Sequence, residues 1–106
     1  MKIFFENFTC VDDIKSSFYI SDKDLEGAEI IYAMYDCPPY EGYAHVIYMK
    51  DGKLYEVNGS HCSCNGLEEQ WKPEETSAIA LLSRPNVSDF AKANIKSIYK
   101  NLMAFL

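Results

Sequence analysis

Asp51-Gly52 separates two runs of alternating apolar residues, 43–50 and 53–58. No other feature of the chain limits its fold so strongly. Both central residues of a type I′ turn need positive φ, and Asp-Gly meets that need at low cost. A two-residue loop also sets the register. Lys50 then faces Lys53, Met49 faces Leu54, Tyr48 faces Tyr55, Ile47 faces Glu56, Val46 faces Val57 and His45 faces Asn58. One face of this hairpin carries Ala44, Val46, Tyr48, Tyr55 and Val57, a consistent core face. The other carries His45, Ile47, Met49, Leu54, Glu56 and Asn58. Polar chemistry is cheaper on this mixed face than among purely apolar neighbours.

The segments around the hairpin complete an α+β reading. Residues 29–35 (EIIYAMY) are apolar on both alternating sets, with Ile30, Tyr32 and Met34 opposite Ile31, Ala33 and Tyr35. A strand apolar on both faces is normally covered on both, which places it centrally in a sheet. Residues 1–8 read as a short strand or an ordered lead-in. Thr9 and Asp12 form a weak capping pair before Val11, Ile14 and Phe18, the stripe of a short helix. Ser21 begins a second short turn, with Ile20 and Leu25 as a hydrophobic staple and Gly27 at its end. Pro73-Glu74-Glu75 has the composition of a helix first turn, with Ala78, Ile79, Leu81 and Leu82 as the apolar side and Pro85 as the stop. Ala91, Ile95, Ile98, Leu102 and Phe105 then recur at helical spacing. The expectation is one domain over residues 1–106. It has short N-terminal helices, a three-stranded antiparallel meander (about 29–35, 43–50 and 53–58) and two C-terminal helices (about 74–84 and 88–104).

Charge narrows the classes of partner. The chain carries a net charge of −6, which disfavours direct binding to a nucleic-acid backbone. Fifteen of its sixteen acids fall in residues 1–75, with six of its ten bases. The remainder, including the Lys92, Lys96 and Lys100 row, is net positive. No stretch has the length of a membrane span, and the apolar run after Met1-Lys2 stops at Glu6, short of a signal peptide. The expected compartment is the cytoplasm, where thiols stay reduced.

His61-Cys62-Ser63-Cys64 is the densest set of potential metal ligands. Thiolate and imidazole suit zinc, and Cys37 is a candidate fourth ligand, with His45, Cys10 or a carboxylate as others. A packing reading competes with this one. Gly59 and Gly66 bracket a tight loop of small side chains, and reduced cysteine is commonly buried. A nucleophilic Cys62 or Cys64 served by His61 or His45 is a third reading, although a base adjacent in sequence rarely gains the required approach. Trp71, the single tryptophan, is expected to cap the core beneath this loop.

The stretch DGKLYEVNGSHCSCNGLEEQWKPEETSAIALLSR, together with EIIYAMY and YEGYAHVIY before it, resembles a family of small uncharacterised proteins of tailed phages and prophages. The resemblance covers roughly residues 18–84. An aromatic residue is usual in that family where this chain has His45 and Asn65, which weighs against His45 as a ligand or base. The resemblance implies a phage accessory protein working in the cytoplasm of a bacterial host. Small, acidic proteins of that kind commonly bind a host or defence protein without catalysis, and inhibition of a defence system is one such role. The expected contact residues are Asp36, Tyr40, Glu41, Tyr43, Glu68 and Glu69. A zinc-binding module built on His61, Cys62 and Cys64 is the alternative, and a cysteine-dependent enzyme the third.

Overall fold

A five-stranded mixed sheet with strands in sequence order organises the chain. The computed structural model describes residues 2–36, 41–62 and 66–103. The strands are β1 (Phe4–Glu6), β2 (Glu29–Asp36), β3 (Glu41–Lys50), β4 (Lys53–Cys62) and β5 (Glu74–Thr76). The helices are α1 (Val11–Phe18), α2 (Ala78–Ser83) and α3 (Asp89–Met103), with a single 3-10 turn at Asp22–Leu25. The α+β class is as expected. The three-stranded meander is the middle of the sheet: β1 joins β2 in parallel, and β5 joins β4 antiparallel.

The hairpin holds the register set by its turn, from Lys50 opposite Lys53 to His45 opposite Asn58, and then continues to Glu41 opposite Cys62. Asp51 and Gly52 both take positive φ, 53° and 76°, as a type I′ turn requires. Its core face behaves as expected. Ala44, Val46, Tyr48 and Val57 are buried with Phe8, Ile14, Phe18 and Leu67, while Ile20, Leu25 and Trp71 pack around them. Trp71 does cap this core, with its ring 5.2 Å from Phe18 and stacked 6.0 Å from Tyr48.

The opposite face forms a second core under α2 and α3, built from Ile31, Tyr32, Ile47, Leu54, Leu81, Val87, Ala91 and Ile95. Strand β2 feeds both cores, but not by simple alternation. A bulge between Ile30 and Tyr32 shifts the register. Ile30 therefore joins the first core with Ala33 and Tyr35, and Ile31 joins the second with Tyr32 and Met34. Adding one residue to a strand moves everything beyond it to the other face. Ile31 has no cross-strand partner at the bulge, and its carbonyl instead accepts Asn94 Nδ2 at 2.9 Å. The same amide donates to the Lys2 carbonyl at 2.8 Å. One buried side chain on α3 thus ties the helix to both β2 and the lead-in of β1. Asn94→Leu should cost about 1–3 kcal/mol, since it strands the buried Ile31 carbonyl and removes the bond to the Lys2 carbonyl; urea denaturation would show it as a lower midpoint at unchanged slope.

Three local expectations are corrected. Residues 74–76 are a strand rather than a helix first turn, because they pair with Leu54–Glu56. Helix α2 starts only at Ala78, where the Ser77 hydroxyl accepts the Ala80 N–H at 3.1 Å. Ile79 is 79% exposed instead of facing the core, since this shorter helix turns Leu81 inward. Ahead of α1 it is Asp13, not Asp12, that accepts from the Thr9 N–H and hydroxyl, at 2.8 and 2.5 Å; Asp12 pairs with Lys15. The expected turn starts at Ser21, and the structure adds a capping box there with Asp24. Phe105 lies outside the described residues.

Candidate functional site

The polar half of the second sheet face gathers into one connected group. Glu56 is buried and accepts from three residues. Arg84 Nη2 reaches both its carboxylate oxygens, at 2.7 and 2.8 Å. Asn58 Nδ2 reaches Oε1 at 3.2 Å, and His45 Nε2 lies 3.2 Å from the same oxygen. The Tyr43 hydroxyl donates to Asn58 Oδ1 at 2.5 Å and carries the network to the surface. Since Glu56 is already an ionised acceptor, the His45 tautomer that fits carries its proton on Nε2. The Tyr32 and Tyr43 rings lie 5.9 and 6.3 Å from the imidazole.

Alternation explains how the strands supply this group. His45 opposes Asn58 and Glu56 opposes Ile47, so His45 and Glu56 meet diagonally on one face. Arg84 comes from the end of α2, where it is the C-cap. The backbone leaves the helix there toward Pro85, and the guanidinium turns back over the sheet. Sequence reading identified the face and named His45, but not the partnership of Glu56 with Arg84. The available signal was two ionisable residues on a mixed face, with an arginine directly before the proline that ends the covering helix.

The electrostatics follow from burial opposed by hydrogen bonds. Burial is the strongest influence on His45 and lowers its pKa; the bond to Glu56 pulls upward without prevailing. For Glu56, burial alone would raise the carboxyl, but the bonds from Arg84, then Asn58 and His45, outweigh it and hold it below its ordinary value. Burial, then the charge of Glu56, raises the Tyr43 phenol, which keeps it protonated as a donor.

Both His45 and Glu56 bind protons more weakly in the folded state than in the unfolded state. Each therefore contributes stability at neutral pH that is lost on acidification. The His45 contribution is present above its ordinary value of 6.5 and fades as pH falls below it. The Glu56 contribution follows below 4.5. Urea midpoints should fall in these two stages between neutral and acid pH, and His45→Phe should remove the first. A wild-type midpoint that stays flat between about pH 7 and 5 would refute the assignment.

The expected contact residues fall along one end of the sheet. Asp36 is exposed at the end of β2 and pairs with Tyr43, which is 40% exposed at the start of β3. Tyr43 pairs in turn with Ser60 of β4. Ser60 is held by Gln70, whose Oε1 accepts the Ser60 N–H at 2.8 Å and whose Nε2 donates to the Ser60 and Gly66 carbonyls at 2.7 and 2.8 Å. Glu68 and Glu69 are exposed on the turn just before Gln70. The structure thus links Asp36, Tyr43, Glu68 and Glu69 through one cross-strand row and one side-chain clamp. Glu41 is placed by backbone pairing with Cys62, and Tyr40 lies outside the described residues.

Of the expected metal ligands, Cys37 and Cys64 lie outside the described residues, and Cys62 is placed in β4 by its backbone alone. His61 lies across the first face, its ring 6.5 Å from Tyr35. Its buried Nδ1 has no hydrogen-bond partner among the described residues. Among the described residues no group of three or more His, Cys, Asp or Glu side chains is placed to hold a metal. None of the described helices is long and apolar enough to cross a membrane.

No family model matches the chain, nor does any curated protein or solved structure.

Proposed function

We propose that this chain is a phage-type accessory protein that acts in the bacterial cytoplasm by binding a host or defence protein, without catalysis. The observation that carries this reading is the row from Asp36 through Tyr43 and Ser60 to the Glu68-Glu69 turn. It pairs the exposed Asp36 with a half-exposed tyrosine, and the Gln70 clamp ties the exposed Glu68-Glu69 turn to the neighbouring strand. Aromatic rings on a rigid base make efficient contact residues because little side-chain entropy is lost on binding. The acids around them fit a basic surface, including one that itself receives nucleic acid.

The buried group points the same way. His45 and Glu56, the candidate acid and base, are enclosed and hydrogen-bonded to each other, and Arg84 covers the carboxylate. Such an arrangement fastens the end of α2 to the sheet and occupies both side chains in structural bonds. The test is affinity capture from a bacterial host lysate with wild type and with Asp36→Lys/Glu68→Lys/Glu69→Lys. The expected result is a host protein retained by wild type, lost with the charge reversal, and kept by Cys62→Ser/Cys64→Ser. Retention by the triple variant would overturn the assignment of this surface.

A zinc-stabilised loop is the second reading, favoured by His61 Nδ1, which has no partner among the described residues, and by the Gln70 clamp that ties Ser60 to Gly66. Native mass spectrometry before and after thiol alkylation separates the two readings. A zinc-sized mass lost on alkylation would support the metal.

A further inference from the structure

Two basic side chains share the Glu56 carboxylate, and they hold it unequally. Oε1 receives Arg84 Nη2 at 2.7 Å, Asn58 Nδ2 at 3.2 Å and His45 Nε2 at 3.2 Å, while Oε2 receives Arg84 Nη2 at 2.8 Å. The side chains of His45 and Glu56 are 5% and 6% exposed, that of Arg84 38%. We infer that His45 and Arg84 compete for Glu56, so that protonation of His45 releases Arg84 to solvent and frees the end of α2 from β4.

Three observations support this latch. The first is access. His45 sits on β3, the middle strand of the sheet, and cannot withdraw without opening it. Arg84 ends α2 and needs only a change of rotamer to reach water. The second is the fit of the guanidinium. One nitrogen makes both bonds to Glu56, where a paired fork uses two. Its Nε is buried with no hydrogen-bond partner among the described residues, a cost that withdrawal relieves. The third is charge. With His45 neutral, one cation meets one anion. A proton added at Nδ1 leaves the Nε2–H on Glu56 and makes a second cation beside the first. Arg84 opposes that proton and Glu56 favours it. Among the described residues the other neighbours are uncharged. Tyr32 of β2 and Tyr43 of β3 are the rings beside the imidazole, Asn58 comes from β4, and α3 buries Ala91, Asn94 and Ile95. His61 lies across the other face, against Tyr35, and takes no part. Enclosing an excess charge is expensive, and the departure of Arg84 restores the balance. Leu81 stays buried in the second core, so the sheet and α2 remain in place while the Arg84-Pro85 connection loosens.

Side-chain NMR of the full chain between about pH 7.5 and 5 tests the latch, with no partner protein needed. The His45 ring reports protonation. Protection of the Arg84 Nε–H from exchange, relative to free arginine at the same pH, reports release. In wild type this protection should fall by about tenfold or more with the midpoint of His45, while the methyl signals of Val46 and Val57 keep their folded positions. In His45→Phe, Arg84 should stay in place over the same range. Arg84→Met, which removes the competing cation, should raise the His45 midpoint by about one pH unit. Should either variant fail to fold, as judged by near-UV circular dichroism, the wild-type titration decides the matter. An Arg84 whose protection is unchanged through the His45 titration would overturn the proposal. So would release at the same pH in His45→Phe, an unmoved His45 midpoint in Arg84→Met, or a His45 that stays neutral until the whole chain unfolds.

Discussion

Arg84→Ala is expected to lower stability by about 2–4 kcal/mol, somewhat less than the ~3–5 kcal/mol seen when one partner of a fully buried pair is removed. The side chain of Glu56 is 6% exposed while that of Arg84 is 38% exposed, so water can reach part of the gap. The loss comes chiefly from leaving a buried carboxylate with only His45 and Asn58 as donors. Arg84→Lys should keep more stability than Arg84→Ala, since a single nitrogen, Nη2, makes both bonds to Glu56. Glu56→Gln in the Arg84→Ala background should recover part of the loss by removing the unpaired charge. Denaturant midpoints for the two single variants and the double variant measure this coupling. Strict additivity would mean that the two residues do not act as a pair. The consequence for the fold is local to the α2–α3 connection, which Arg84 pins to β4.

Phe18→Ala should cost about 3–5 kcal/mol, the range for deleting a buried aromatic ring. Phe18 is 1% exposed and sits against Phe8, Trp71 and the backbone of Gly59. A Cβ at residue 59 would come within 2.9 Å of Leu67 Cδ2 and 3.1 Å of Phe18 Cε1. Glycine is therefore required there by close packing and not by backbone conformation. Gly59→Ala alone should cost about 1–3 kcal/mol through overpacking, and less in the Phe18→Ala background, where the ring no longer crowds it. Thermal melts of the two single variants and the double variant would show the compensation. Equal costs of Gly59→Ala in both backgrounds would place its strain elsewhere.

Features set by neighbouring residues were legible in the sequence. The Asp-Gly turn, the hairpin register, the turn start at Ser21 and the core role of Trp71 depend on backbone preference and on periodicities that a short window contains. The same holds for the mixed face bearing His45 and Glu56, since alternation from a fixed turn decides which side chains share a side. Asp36, Tyr43, Glu68 and Glu69 could be singled out by exposure and charge. The row from Asp36 through Tyr43 to Ser60, and the Gln70 clamp that ties the Glu68-Glu69 turn to it, could not, because they depend on contacts across separate segments of the chain.

Tertiary structure decided what long-range competition controls. Residues 74–76 carry a helix-start signal, yet the open edge of β4 offers them backbone partners and makes them a strand. The bulge in β2 has no local signature. It follows from fitting one strand between two cores, and Asn94, distant in sequence, accepts its cost by bonding the displaced carbonyl. Arg84 reads locally as a helix end, and only the packing of α2 on the sheet brings it to Glu56. Turns and alternation act over a few residues and are written in them. Edge pairing, bulges and buried charge partners depend on which surfaces meet once the chain has closed on itself.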